Sequence, residues 1–337
     1  MNKEVNIIYS VPRGEYKVLV NCGTYNHSKY IKDALNGFAL QQTNFPFICL
    51  VMDDASTDGE QEVIKEWMTQ ECNMSSAEFI DTTNSEVILV PHKTNSYCTF
   101  AFYLLKKNLY RTGQKALYIN PWRDKCEYEA ICEGDDYWID SLKLQKQIDF
   151  LHNNPEYTMC FANAIEHYED NRLNNDNLFS KIEDREYTGI EFYDNWIVPT
   201  ASVVFKNSVL YSTIYKSSVA NQNFVHGDII LFLSCAYQGK VRGFSDIMSV
   251  YRRHIGGLTF SKNITRSLIL HNKDIPAYFG NQYKDVSQKR IVRFAINAFL
   301  SSRGKDLTSL KEALATNAIY SFRQIIKIVY YKLKNCR

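Results

Sequence analysis

The chain of 337 residues contains no run of about 18 uncharged apolar residues, so nothing in it is expected to span a bilayer. Met1 to Ser10 lacks the apolar stretch of a signal peptide, and the expected location is the cytosol. No CxxC pair occurs among the nine cysteines, at positions 22, 49, 72, 98, 126, 132, 160, 235 and 336. An odd, scattered set of this kind reads as reduced thiols, not as a disulfide framework or a zinc site. Charge of one sign is also scarce. A formal net charge of +2 is too small for the phosphate electrostatics of nucleic-acid binding, and no nucleic-acid partner is expected. What remains, 45% hydrophobic and 23% charged residues, is the composition of a folded globular protein.

The pattern along the chain is alternating. KVLVNC, Lys17 to Cys22, is a β-branched apolar run suited to a buried parallel strand. The loop GTYNHS follows. Ile31, Ala34, Leu35 and Phe38 then recur at i, i+3, i+4 and i+7, one stripe of a helix. Phe47 to Met52 predicts a second strand, and Asp58 with Gln61 predicts a capping box for a helix burying Val63, Ile64, Trp67 and Met68. Further strands are predicted at Glu86 to Val90, Tyr128 to Cys132, Tyr157 to Ala162, Thr200 to Phe205 and Ile247 to Val250. A helix capped by Asp140 carries Leu144, Ile148 and Leu151 and ends at Asn153-Asn154-Pro155. From about Leu104 to Lys125 no period is legible. The alternation predicts an α/β fold, a mostly parallel sheet with helices on both faces. Ligands in such sheets bind beyond the carboxyl ends of the strands, where strand order reverses.

Those ends carry Thr24-Tyr25-Asn26, Asp53-Asp54 and Asp135-Asp136. Carboxylates gathered on one edge repel one another unless a cation joins them, and oxygen ligands favour magnesium or manganese over zinc. TYNHSKYIKDAL, VMDDASTDG and CEGDDYW followed by LKLQKQIDFLHNNP resemble, in order and spacing, the family 2 inverting glycosyltransferases of the GT-A, Rossmann-like fold. The likeness covers about Lys17 to Thr259. It implies a GT-A domain over residues 1–260, with a nucleotide part at about 17–137 and an acceptor part at about 138–260. Residues 261–337 are expected to form a helical C-terminal extension with a basic amphipathic tail.

The resemblance implies nucleotide binding by Thr24, Tyr25, Asn26, Asp53, Asp54 and Asp135. A tyrosine ring offers a face to uracil and a carboxylate accepts its imino N–H, which points to a UDP-sugar donor. It also implies a metal site for Mn2+ or Mg2+ at Asp136, Asp135 and His254, with Asp136 the favoured direct ligand. Asp228, in His226-Gly227-Asp228 before the apolar run IILFLSCAY, is implied as catalytic base, with His226 ranked behind it. Tyr251-Arg252-Arg253-His254 resembles a segment whose Arg252, Arg253 and His254 would hold the donor diphosphate, with Gly256 and Gly257 letting the loop close. His92 and Asn95 align with a region that approaches the nucleotide. Asp54, Asp136 and Asp228 are expected to gather around one ion and one pyrophosphate. Tyr137 and Trp138 border the sugar pocket or pack in the core. The plainer alternatives are a turn with a helix cap at DDASTDG, an N-cap at Asp228, and a solvated basic turn at Arg252 to His254.

The activity so implied is inverting transfer of a sugar from a nucleotide diphosphate to a glycan or lipid-linked acceptor hydroxyl. Two other classes compete. A sugar nucleotidyltransferase would carry a GxGxR-like loop after the first strand, which is absent; an inactive nucleotide-sugar-binding module would not need Asp54, Asp136 and Asp228 together. The tail from Ala318, AIYSFRQIIKIVYYKLKNCR, has five Lys or Arg and no acid. Its pattern suits a helix on an anionic membrane surface, at the cytosolic face, or an amphipathic helix docked on the protein's own core.

Overall fold

The computed structural model describes residues 15–110, 112–169, 177–254 and 265–335, with side chains to residue 328. Gly256 and Gly257 lie outside the described residues. The chain divides into two units that interleave in sequence, where the sequence reading sets one boundary near residue 260. Among the described residues, the first comprises those from 15 to 187 with 197–209 and 239–254; the second comprises 188–196, 210–238 and 265–335.

The first unit is built on one sheet. Its centre is β1 (Val18–Thr24), β2 (Phe47–Asp53), β5 (Cys98–Leu105) and β6 (Tyr128–Ile131). β1 pairs in parallel with β2 on one side and β6 on the other, and β5 runs parallel to β2. Beyond β5 lie the antiparallel β4 (Ser85–Pro91) and β3 (Glu78–Asp81). On the other side β11 (Val204–Lys206) runs antiparallel between β6 and β8 (Tyr157–Tyr168), and β12 (Lys240–Arg253) lies parallel to β8. Short strands β7 (Tyr137–Trp138), β9 (Asn177–Leu178) and β10 (Glu186–Tyr187) complete it. The sheet is mostly parallel and covered by helices on both faces, as the alternating sequence predicts.

The buried parallel strands are apolar on both sides because each face meets a helix layer. On one face α1 (Ile31–Ala39), α2 (Glu60–Glu71) and α4 (Lys143–Asn153) bury Ile31, Leu35, Ile64, Leu144 and Ile148 against Val20, Val51 and Phe100. On the other, α3 (Ala116–Arg123) packs Tyr118 and Trp122 against Leu19, Leu50 and Tyr103. Close approach of α1 requires Gly37, where a Cβ would stand 2.8 Å from the Trp138 carbonyl oxygen. The capping box predicted for α2 is replaced by another arrangement. Its N-cap is Gly59 at φ 88°, and Gln61 turns inward to donate to Asp53 Oδ1 at 2.5 Å. All eight cysteines among the described residues are buried and free.

The second unit is helical: α5 (Gly189–Asp194), α6 (Thr213–Ala220), α7 (Gly227–Gln238), α8 (Thr265–Phe279), α9 (Lys284–Ser301) and α10 (Leu307–Asn335). Its core gathers Ile269, Ile291, Val292, Ala295, Ile296 and Ala313.

Candidate functional site

The order of the sheet places the reversal point between β1 and β6, since the chain leaves β1 toward β2 and returns to its other side. Three loops meet there. Thr24 and Asp53 are cross-strand partners at the ends of β1 and β2, and the Gly134 N–H donates to the Gly23 carbonyl at 3.1 Å, extending the ladder past β6. A side chain at Gly134 would collide with Thr24, so glycine is what lets the third loop come this close.

The first loop is tied to the second by side chains. Asn26, at φ 59°, accepts the Thr57 N–H at 2.8 Å through Oδ1 and donates its own N–H to Ser56 Oγ at 2.9 Å. Asparagine tolerates this left-handed backbone better than most residues. Beneath it Glu60 is fully buried, receiving the Thr24 hydroxyl, the His27 N–H and the Ser56 hydroxyl. Burial drives its pKa up to about 7 against the downward pull of those bonds. Tyr25 is 44% exposed, which leaves ring surface open to solvent.

The acidic residues fare differently from one another. Asp53 Oδ1 accepts from Ser56 N–H and Gln61, while Oδ2 is buried with no partner. The carboxylate of Asp54 is closed off, one oxygen by the Leu109 N–H at 2.6 Å and the other by Lys115 Nζ at 2.8 Å. It anchors the chain between β5 and α3. Asp135 and Asp136 take different partners. Asp136, 3% exposed, accepts the Arg252 N–H at 2.8 Å, and burial together with the charge of Asp135 holds its pKa well above the usual carboxylate range. Asp135 Oδ2 instead meets His254 Nε2 at 3.0 Å and His27 Nε2 at 3.7 Å. Burial raises the Asp135 pKa, yet the His254 hydrogen bond and His27 leave it lowered on balance. Asp54 and Asp136, expected to meet, are thus held by separate protein partners, the Leu109 N–H and Lys115 for one and the Arg252 N–H for the other.

His27, Asp135 and His254 together form the one group of three or more potential metal-ligating side chains found among the described residues, with ligand atoms within 4.8 Å of one another. Asp135 Oδ1 is buried without a hydrogen-bond partner. An orphaned carboxylate oxygen beside two imidazoles is the donor set a divalent cation would satisfy. Sequence reasoning named Asp135 and His254 but passed over His27, whose signal was its place in TYNHS, three residues beyond Thr24.

The two arginines face protein acids. Arg252 donates from Nε to the Asp135 carbonyl at 2.8 Å, pairs with Asp33 at 2.6 Å and with Glu169, and lies between the rings of Tyr30 and Tyr137 at 4.6 and 5.0 Å. Arg253 pairs with Glu166 at 2.7 Å. Both hold the end of β12, which delivers His254. Trp138 is core: its Nε1 donates to the Ala201 carbonyl at 2.7 Å and its ring receives Lys143 Nζ at 4.2 Å. His92 and Asn95 stand at the far end of the sheet. Because β4 runs antiparallel to β5, its carboxyl end lies beside the starts of β5 and β2, not beside Asp53.

Asp228 belongs to the second unit. It lies inside the first turn of α7, which starts at Gly227, and its Oδ1 accepts the adjacent Ile229 N–H at 2.8 Å, so it is not the N-cap. Burial raises its pKa, and burial lowers that of His226. The loop before it is fixed by His271, whose Nδ1 accepts the Val225 N–H at 3.2 Å.

The chain matches no family profile. Uncharacterized proteins of Mycobacterium tuberculosis and Mycobacterium bovis are 30% identical over 239 residues, 71% of this chain and 59% of theirs. The chain thus spans about three fifths of the length of these curated relatives. Residues 1–349 of S. aureus TarS, in complex with UDP-GlcNAc, superpose on 90% of this chain and 80% of that one with a TM-score of 0.57 at 15% identity. The same fragment with UDP gives 0.55 at 14% identity, over 89% and 81%. The α/β architecture is a glycosyltransferase fold.

Proposed function

We propose that the chain transfers a sugar from a nucleoside diphosphate donor, a UDP-sugar, to a hydroxyl of a glycan or lipid-linked acceptor with inversion at the sugar carbon. The observation that carries this is the His27–Asp135–His254 cluster with its orphaned oxygen, set at the strand-order reversal of a glycosyltransferase fold. These three residues would hold the divalent ion; two imidazoles beside one carboxylate favour manganese over magnesium. Bound there, the ion supplies Lewis-acid neutralisation of the departing diphosphate.

The chain's own groups do the rest. Tyr25 gives the base a ring face, and Asp53 Oδ2 is the acceptor left for an imino N–H, which uracil has. TarS, of the same fold, was crystallised with UDP-GlcNAc, in keeping with a uridine donor. Asp228 takes the acceptor proton, its raised pKa making it a stronger base than an ordinary carboxylate. Arg252 and Arg253 position His254 through their ion pairs.

The test is a panel of UDP-sugars incubated with the full chain, with Mn2+ and then with chelator. UDP release that chelation stops is expected. Pyrophosphate formed from UTP and a sugar phosphate would establish the nucleotidyltransferase instead, and no turnover of any donor with any divalent metal would sink transfer.

A membrane contact belongs to the same proposal. No helix among the described residues is long and apolar enough to cross a bilayer. On α10, Tyr320, Ile325 and Ile328 pack against the core of the second unit, as the docked-helix alternative requires. The other face carries Ile319, Phe322 and Ile326, 71%, 59% and 68% exposed, with exposed Arg323 and Lys327 alongside. Spaced at i, i+3 and i+7, these three form one stripe, and apolar groups flanked by cations complement an anionic lipid surface. Phe322→Glu with Ile326→Glu is expected to abolish sedimentation with phosphatidylglycerol vesicles. Equal sedimentation of variant and wild type would reject the contact.

A further inference from the structure

A cleft of about 770 Å³ opens at the other end of the central strands, between the chain after α1 and the turn leading into β5. Tyr97 lies there, its carbonyl accepting the Phe47 N–H at 2.8 Å, so the cleft adjoins the start of β2. Asp53 ends that strand six residues on, about 20 Å away at the usual rise per residue. None of the eleven lining residues is an acid, lysine, arginine or histidine, although 23% of the chain is charged. The lining is amide and hydroxyl, with Leu40 and Tyr97 exposed among them.

We propose that this cleft binds a neutral oligosaccharide. An uncharged lining of mixed polar and apolar surface offers no opposite charge to a diphosphate, a metal ion or a charged peptide, and its side-chain amides and hydroxyls would be left unpaired against an apolar helix. Sugar hydroxyls both donate and accept, as side-chain amides do, and the C–H face of a pyranose packs on an exposed tyrosine ring. Gln42, Asn44, Ser96 and the Tyr97 phenol supply such groups. The walls are fixed beforehand: Asn95 Nδ2 donates to the Ala39 and Gln41 carbonyls at 3.0 and 2.8 Å, and the Asn44 N–H donates to Gln145 Oε1 at 2.8 Å. Little order has to be gained on binding. The site is separate from the donor site and goes beyond the transfer reaction proposed above. It would hold a distant part of a long chain while a terminus reacts.

Saturation-transfer NMR of the full chain with maltotetraose, cellotetraose, mannotetraose and chitotetraose tests it. At least one is expected to bind at millimolar concentration, with or without saturating UDP and Mn2+. Tyr97→Ala is expected to weaken that binding by about fivefold or more. Gln42→Glu, which places a charge in the cleft, is expected to weaken it also, and UDP affinity should not change in either. No transfer to any of the four sugars, or binding untouched by both substitutions, overturns the proposal. Displacement of the sugar by UDP would assign it to the donor site and overturn it as well. Loss of UDP binding in the wild type, by contrast, would count only against the transfer reaction.

Discussion

Asp135→Ala is expected to lower sugar transfer by about a thousandfold or more, the loss typical when a group stabilising charge at the reacting centre is removed. Asp135 is the only carboxylate of the three-residue cluster, and both imidazoles turn toward its Oδ2. Without it two imidazoles remain with no anion to draw a cation in. Titration calorimetry should show Mn2+ affinity falling with turnover, while the thermal midpoint stays close to that of the wild type. Asp136→Asn is the informative partner. Its Oδ can still accept the Arg252 N–H, so it should retain most Mn2+ affinity. The opposite order, Asp136 essential and Asp135 dispensable, would restore the ligand assignment drawn from the sequence and discard the one drawn here.

Asp228→Asn is expected to cost about a hundred- to ten-thousandfold in kcat, the span of general-base catalysis, with the KM for donor little changed. An amide cannot take the acceptor proton but keeps the acceptor atom for the Ile229 N–H, so α7 should remain intact. The pH profile gives a second readout. Burial raises the pKa of Asp228, and a base acts only when deprotonated. The acid limb of kcat should therefore fall at higher pH than an unperturbed carboxylate would allow, and disappear in the variant. Full turnover by Asp228→Asn would remove Asp228 from the chemistry.

Much of this arrangement was legible in the sequence, for identifiable reasons. VLVNC, FICLVM and the stripe Ile31, Ala34, Leu35, Phe38 announce β1, β2 and α1 because a strand covered on both faces must be continuously apolar and a half-covered helix must not. The convergence of Thr24, Asp53 and Asp135 followed from parallel order alone. What escaped depended on tertiary choices. β5, CTFAFYLL, is as apolar as β2, but its insertion between β2 and β4 is a matter of pairing, not of pattern. α3 is eight residues long with Pro121 inside it, too short to display a period. That unread stretch contains Lys115, which pairs with Asp54. Likewise, which of two consecutive aspartates faces the histidines is set by the turn after Gly134, where the Asp136 N–H donates to the Glu133 carbonyl at 3.1 Å.

The cluster's three members are spread from position 27 to position 254, and the bond between Asp135 and His254 joins residues 119 apart. His254 stands just past the last strand, which the chain lays down only after passing twice through segments of the helical unit. Contacts so far apart in sequence carry a larger loop-closure cost than the pairing of β1 with β2. A nascent or truncated polypeptide lacking its final third would hence be without His254, one of the three ligating side chains, and capture of a cation by the full cluster would report that β12 has joined the sheet.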